Sequence, residues 1–186
     1  MSATVLLAVA DGSEDIETIT LLDVLRRGGL QVTLTSVMPQ RQVTCAHGTQ
    51  LRADALLADV LNQDFDAIVL PGGMPGAEHF ASSGTLVSML EEQNARGEVV
   101  AAICAAPAVV LAKHGLLEGR RAVAYPGFEE AIVQGGAELL RQNVVHDGNI
   151  ITSRGPATAM EFALFLVEVL VGEKKAKEVQ DGLLVP

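Results

Sequence analysis

From Val99 to Leu111 the chain reads Val-Val-Ala-Ala-Ile-Cys-Ala-Ala-Pro-Ala-Val-Val-Leu, and a strand gives way to a helix inside that run with no loop between them. The first part is short, apolar and rich in β-branched residues, the pattern of a buried strand. The second part carries Pro107 in its first helical turn, where a missing N–H costs little. Cys104 therefore falls on the turn itself, where a side chain is held out toward a cleft, as in a nucleophile elbow. It also faces the free N–H groups and positive end of the helix, which predicts a thiol more acidic than a free cysteine. The alternative for any cysteine in an apolar run is a buried packing residue.

The rest of the chain repeats this alternation. Strand patterns are expected over Thr4–Ala10, Gln31–Val37, Phe65–Leu70, Val99–Ile103 and Arg121–Tyr125. Helices are expected over Asp15–Arg27, Ala55–Leu61, Ser83–Ala95, Phe128–Val133, Ala157–Val171 and, exposed, Lys174–Gln180. His47-Gly48 and Asp147-Gly148 each sit between two short strand patterns and predict hairpins, the first added to the main sheet. The order argues for one doubly wound α/β domain over residues 1–186, with a mostly parallel sheet and helices on both faces. The core suits it: 49% of residues are hydrophobic but only 3% aromatic, so Val, Leu, Ile and Ala must fill it.

Charge and cysteine usage narrow the function. With 13 basic against 23 acidic residues the chain carries −10 at pH 7, a surface that repels nucleic acid and anionic membrane. Cys45 and Cys104 form no C-x-x-C and the four histidines are scattered, which argues against a disulfide framework and a metal site. Two unpaired cysteines fit a reducing cytoplasm. The apolar stretch Val5–Ala10 has no basic residue before it and meets Asp11 early, unlike a signal peptide. The longest apolar run, Val99–Ala112, is too short to span a bilayer.

In such folds, sites form at the C-terminal ends of the strands. That rule gathers Asp11–Glu17, Pro71-Gly72-Gly73-Met74-Pro75-Gly76 and Cys104 around one cleft. Glu17 lies in the first turn of its helix and shares a face with the apolar Leu21 and Val24. A carboxyl on a core-facing stripe is desolvated, so its pKa rises and it can hold a proton near neutrality. The plain alternative is an acid favouring the positive helix end, and it accounts for Glu14 and Asp15. The glycines after Leu70 let backbone N–H groups approach an oxyanion or simply make a turn. No Gly-Lys-Ser/Thr follows, so this is not a phosphate loop. The histidines, His114 among them, read as surface or capping residues. Arg26, Arg27 and Arg154 read as anion binders or as solvated and ion-paired side chains.

Gly12-Ser13-Glu14-Asp15-Ile16-Glu17, Val69-Leu70-Pro71-Gly72-Gly73, Ala101-Ala102-Ile103-Cys104-Ala105-Ala106-Pro107 and Thr152-Ser153-Arg154-Gly155-Pro156 together resemble the ThiJ/PfpI superfamily, and within it the DJ-1 branch. The motifs cover nearly the whole chain. The resemblance implies a flavodoxin-like, class I glutamine amidotransferase-like sandwich, a homodimer, and no cofactor. It makes Cys104 the nucleophile and oxidation-sensitive thiol, and Glu17 its protonated partner. The N–H groups of Gly73 and Ala105 become the oxyanion pocket, and Cys45 the second, redox-linked cysteine near the dimer interface. The implied activities are cofactor-free conversion of an α-oxoaldehyde such as methylglyoxal to lactate, deglycation of early adducts on protein or nucleotide, and oxidative-stress protection with chaperone-like behaviour. A non-enzymatic redox sensor that responds through Cys104 oxidation uses the same residues. Two positions depart from the pattern. Ala105 stands where peptidase-like members carry His, which argues against a peptidase. Tyr125 stands where the DJ-1 branch carries His, and a phenol is a poor base near neutrality. Proton transfer then falls to Glu17, with Tyr125 and His114 next to examine.

Overall fold

The computed structural model describes residues 2–186. A seven-stranded sheet forms its centre, built from β1 (Thr4–Val9), β2 (Gln31–Ser36), β5 (Ala55–Leu56), β6 (Ala67–Leu70), β7 (Val99–Ile103), β10 (Val144–Asp147) and β11 (Ile150–Ser153), in the order β10-β11-β7-β6-β1-β2-β5. All neighbours run parallel except the β10–β11 hairpin. The remaining strands, β3 (Gln42–Thr44), β4 (Gln50–Arg52), β8 (Arg121–Ala122) and β9 (Glu138–Leu139), form two small two-stranded sheets. This is a flavodoxin-like α/β sandwich.

Period-two alternation sends successive residues of the central strands to opposite faces. Val5, Leu7 and Val9 of β1, with Val69, Ala101 and Ile103, pack under α1 (Asp15–Arg27) and α5 (Ala159–Val171), through Leu21, Val24, Leu25, Phe162 and Leu166. Leu6, Ala8, Ile68, Leu70 and Val100 face the other way. There they meet Phe80 of α2 (Gly76–Ser82), Leu86 and Leu90 of α3 (Gly84–Ala95), and Ile132 of α4 (Glu129–Gln134). Leu111, from the short π-helix Pro107–Ala112 that follows Cys104, joins that second layer.

Several local expectations change. Ala55–Leu61 is not a helix: Ala55 and Leu56 pair with Thr35 and Ser36 at the free edge of β2, and a 3₁₀ turn follows over Leu57–Asp59. The edge pairing offers these backbones partners that their helix propensity did not outweigh. Because β5 takes that edge, the β3–β4 hairpin stands apart from the main sheet. Asp11 and Asp15 anchor it instead, accepting from the N–H groups of Thr44, and of His47 and Thr49. Only Arg121–Ala122 of the expected Arg121–Tyr125 strand is regular, and it pairs with β9. Helix α2, between Pro75 and Ser83, was not foreseen, because Gly76 and the Pro-Gly run read as loop. The last helix, α6 (Glu173–Gly182), is not exposed on every side: Ala176 and Val179 are buried against the α1/α5 layer.

Candidate active site

Strands β1, β6 and β7 are neighbours, so the three loops at their C-terminal ends meet. Cys104 directly follows β7 with φ 66°, in the left-handed region that side chains rarely enter. Two backbone bonds hold it there. Its N–H donates to the Ser153 carbonyl at 3.0 Å, and its carbonyl accepts from Tyr125 N–H at 2.8 Å. A non-glycine residue kept in this conformation by its surroundings marks a functional site more often than a packing position.

Gly72 is the hinge of the arrangement. A Cβ at that position would lie 2.5 Å from Cys104 Cβ, 2.9 Å from Glu17 Oε2 and 3.0 Å from Ala105 N. Only a residue without a side chain lets the three parts converge. Gly73, with φ 88°, is pressed equally closely against Glu14 N and Gly12 O.

Glu17 is completely buried. Its Oε2 accepts from Gly72 N–H at 2.7 Å, while Oε1 has no hydrogen-bond partner. Burial pushes this carboxyl up to about 7, against the Gly72 N–H and the Cys104 thiol, which favour the carboxylate. An acid that releases its proton near neutrality is suited to move one.

Cys104 corrects the expectation of an acidic thiol. Burial, the Glu17 charge and the Glu17 hydrogen bond push it up to about 12, and the N–H groups of Gly73 and Ala105 only partly oppose them. The helix that was to lower it is a single short π-helical segment over Pro107–Ala112, and burial outweighs its pull. The Glu17 contributions, however, belong to an ionised carboxyl. When Glu17 keeps its proton the charge repulsion vanishes, and as a donor to sulfur its hydrogen bond favours the thiolate instead. The two groups therefore behave as one coupled pair, in which the protonation of each sets the charge the other can carry.

The other expected residues lie differently. Cys45 is buried on the β3–β4 hairpin, where burial and the carboxylates of Asp15, Glu14 and Asp11 push its thiol up to about 11. Tyr125 is 46% exposed and its ring packs beside Gly155 and Gly127; the link from Tyr125 to Cys104 is its backbone N–H. His114 points elsewhere, with Nε2 3.0 Å from the Ala81 carbonyl on α2. Arg154 follows β11, the neighbour of β7, and its buried Nε has no partner. The sequence reading passed over Gly72 as a hinge and Glu14 as more than a helix-end acid. Gly72 was visible only as one letter of a turn.

The fold is that of a recognised family. Residues 3–169 match the DJ-1/PfpI family, and the chain belongs to it. It is 45% identical to Protein DJ-1 homolog A of Arabidopsis thaliana over 98% of this chain and 46% of that protein, so it spans about half the length of that relative. It is 42% identical to the Glutathione-independent glyoxalase DJR-1.2 of Caenorhabditis elegans, over 94% of this chain and 91% of that protein. The crystal structure of Drosophila melanogaster DJ-1beta superposes with a TM-score of 0.96 at 42% identity, over 100% of both chains. Among the described residues no helix is long and apolar enough to cross a membrane.

Proposed function

We propose that this chain is a cofactor-independent cysteine enzyme acting on small α-oxoaldehydes, turning methylglyoxal and water into lactate. The observation that carries the reading is the coupled pair. A fully buried carboxyl that titrates near 7 sits across Gly72 from a cysteine held at positive φ. Gly73 and Ala105 direct two N–H groups at the sulfur, and Gly72 directs one at the carboxyl. The form that reacts is the one in which the pair's negative charge lies on sulfur, with the Glu17 proton donated to it and the Gly73 and Ala105 N–H groups facing it.

The thiolate attacks the aldehyde carbon, forming a C–S bond. The carbonyl oxygen takes the charge, is held by the Gly73 and Ala105 N–H groups, and receives the Glu17 proton to give a hemithioacetal. The Glu17 carboxylate then removes the proton from that carbon and returns it to the neighbouring ketone carbon, while the hemithioacetal hydroxyl gives up its proton and the former ketone oxygen gains one, leaving a thioester beside a hydroxyl. The aldehyde carbon is oxidised as the ketone carbon is reduced, so no external electron acceptor enters. Water cleaves the resulting thioester, releasing lactate and the thiol. Release of early glycation adducts on protein or nucleotide follows if the same site drains free aldehyde.

A second reading has one observation in its favour. The donors around the sulfur, Gly73 N–H, Ala105 N–H and a protonated Glu17, would also hold the oxygens of a sulfinate. On that reading the chain is a redox-sensing chaperone. A stoichiometric lactate assay with metal-free protein separates the two. Turnover by wild type and none by Cys104→Ser supports the enzyme; negligible turnover by wild type overturns it in favour of the sensor.

The same proposal includes assembly and compartment. Ile16 and Ile19 are 57% and 41% exposed, three residues apart on α1, beside the hairpin that carries Cys45. An apolar pair on a helix face suits the contact of a homodimer. Light scattering at low micromolar concentration should give twice the chain mass, and Ile16→Glu should give one. Two free thiols suit a reducing cytoplasm.

A further inference from the structure

Three hydrogen bonds close a ring at the base of the site. Glu14 N–H donates to the Gly72 carbonyl at 2.9 Å. Gly72 N–H donates to Glu17 Oε2 at 2.7 Å. Glu17 N–H donates to Glu14 Oε2 at 2.7 Å. The ring ties the start of α1 to the β6 loop and sets the Glu17 side chain against Gly72, which itself touches Cys104. Thr18 Oγ1 donates to the Glu14 carbonyl at 2.7 Å and stiffens the same corner.

Capping alone does not require Glu14. Ser, Thr, Asp and Asn are the favoured N-cap residues because short side chains reach the orphan N–H groups best. Here a longer carboxylate occupies the cap and is itself buried, 7% exposed. Among the described residues no Lys, Arg or His forms an ion pair with it. The titratable groups around this corner are Glu17 and Asp15 on α1, Asp11 at the end of the β1 loop, Cys104 on the β7 turn, and Cys45 and His47 on the hairpin.

We infer that Glu14 is a positioning residue for the Glu17–Cys104 pair: its buried carboxyl, accepting from Glu17 N–H while its own N–H is tied to Gly72, fixes Glu17 against Gly72. The inference rests on Glu17 as the proton-holding partner of Cys104, and not on the identity of the aldehyde. The Glu14 charge indeed acts to raise the Glu17 carboxyl, after burial has done most of it.

The test compares neutral and charged caps in a Cys45→Ser background, so that thiolate absorbance reports Cys104 alone. Glu14→Gln and Glu14→Ser both keep an acceptor for Glu17 N–H and remove the charge; Glu14→Asp keeps both. The first ionisation of the pair is followed against pH by thiolate absorbance and by the infrared band of the protonated Glu17 carboxyl, assigned by its loss in Glu17→Gln. Both neutral caps should lower the first midpoint by about one pH unit, the low end of what losing a nearby like charge produces. Glu14→Asp should return it to the wild-type value. Folded Gln and Ser variants that titrate with wild type would overturn the inference and leave Glu14 a plain cap. No aldehyde is used, so a wild type that makes no lactate would sink the proposed function without touching this result.

Discussion

The molecule holds two buried cysteines, and their surroundings are opposite. Around Cys45 the charged groups are the carboxylates of Asp15, Glu14 and Asp11, which all disfavour a thiolate. Around Cys104 two backbone N–H groups favour it, and the one carboxyl in reach holds a proton up to about 7. Burial raises both thiols, so burial does not tell them apart. Backbone conformation does: Cys104 sits at φ 66°, on a turn its neighbours enforce. Reactivity here is a property of the donors a fold aims at a sulfur, together with a neighbour that can be neutral.

Exchanging the two cysteines should have the largest effect. Cys104→Ser should abolish lactate formation, while Cys45→Ser should keep turnover near wild type. A comparable loss in both would make Cys45 part of the site. Gly72→Ala comes next. Its methyl would sit 2.5 Å from Cys104 Cβ and 2.9 Å from Glu17 Oε2, so either the turn or the carboxyl must move. A loss of about 1–3 kcal/mol is expected from overpacking, with Cys104 alkylation slowed at neutral pH. Wild-type alkylation with wild-type stability would show that the three groups are not held together as described.

Glu17 should also make stability depend on pH. Its folded value, about 7, lies above its ordinary value of 4.5, so the native state binds the proton more tightly. The stabilisation is complete below about 4.5 and is lost as pH rises through about 7. Glu17→Gln cannot ionise. Relative to wild type it should gain up to about 3 kcal/mol between pH 4.5 and 8, read by denaturant unfolding. A constant difference across that range would mean Glu17 is not held neutral. Mild peroxide should place two oxygens on Cys104 before Cys45 reacts, since the N–H groups of Gly73 and Ala105 face the Cys104 sulfur whereas three carboxylates face Cys45. Peptide mass spectrometry checks the order, and prior oxidation of Cys45 would reverse the comparison. Smallest of all should be Tyr125→Phe. The residue is half exposed and only its backbone reaches Cys104, so lactate formation should fall far less than the roughly 10²-fold of a lost acid–base group. A fall of that size would bring the phenol into the mechanism.

Much of the scaffold was legible because long amphipathic and apolar patterns dominate it. Asp15–Arg27 was read to the residue, and β1, β6 and β7 were found in place, which was enough to bring Glu17, Gly73 and Cys104 to one end of the sheet. Short elements whose partners are distant were not. Ala55 and Leu56 become a strand only because the β2 edge is free, and Gly76–Ser82 hides a helix behind Pro75 and Gly76. The face of Glu17 was readable from Leu21 and Val24, but the role of Gly72 was not, since a glycine's reason for being glycine lies in what touches it. The Cys104 acidity was misjudged for a related cause. A helix start is visible in a sequence, whereas burial and a facing carboxyl 87 positions earlier in the chain are not.

The central claim is that Glu17 carries the proton and Cys104 the carbon. Glu17→Gln tests both at once, because glutamine keeps an acceptor for Gly72 N–H and a donor for sulfur but cannot release a proton. Methylglyoxal is added to wild type and variant, the adduct on Cys104 is weighed by intact mass after rapid quenching, and lactate is measured in the same samples. The account predicts that Glu17→Gln forms the adduct yet makes lactate roughly 10²–10⁴-fold more slowly than wild type. Equal lactate production by the two proteins would contradict it and take the proton transfer away from Glu17.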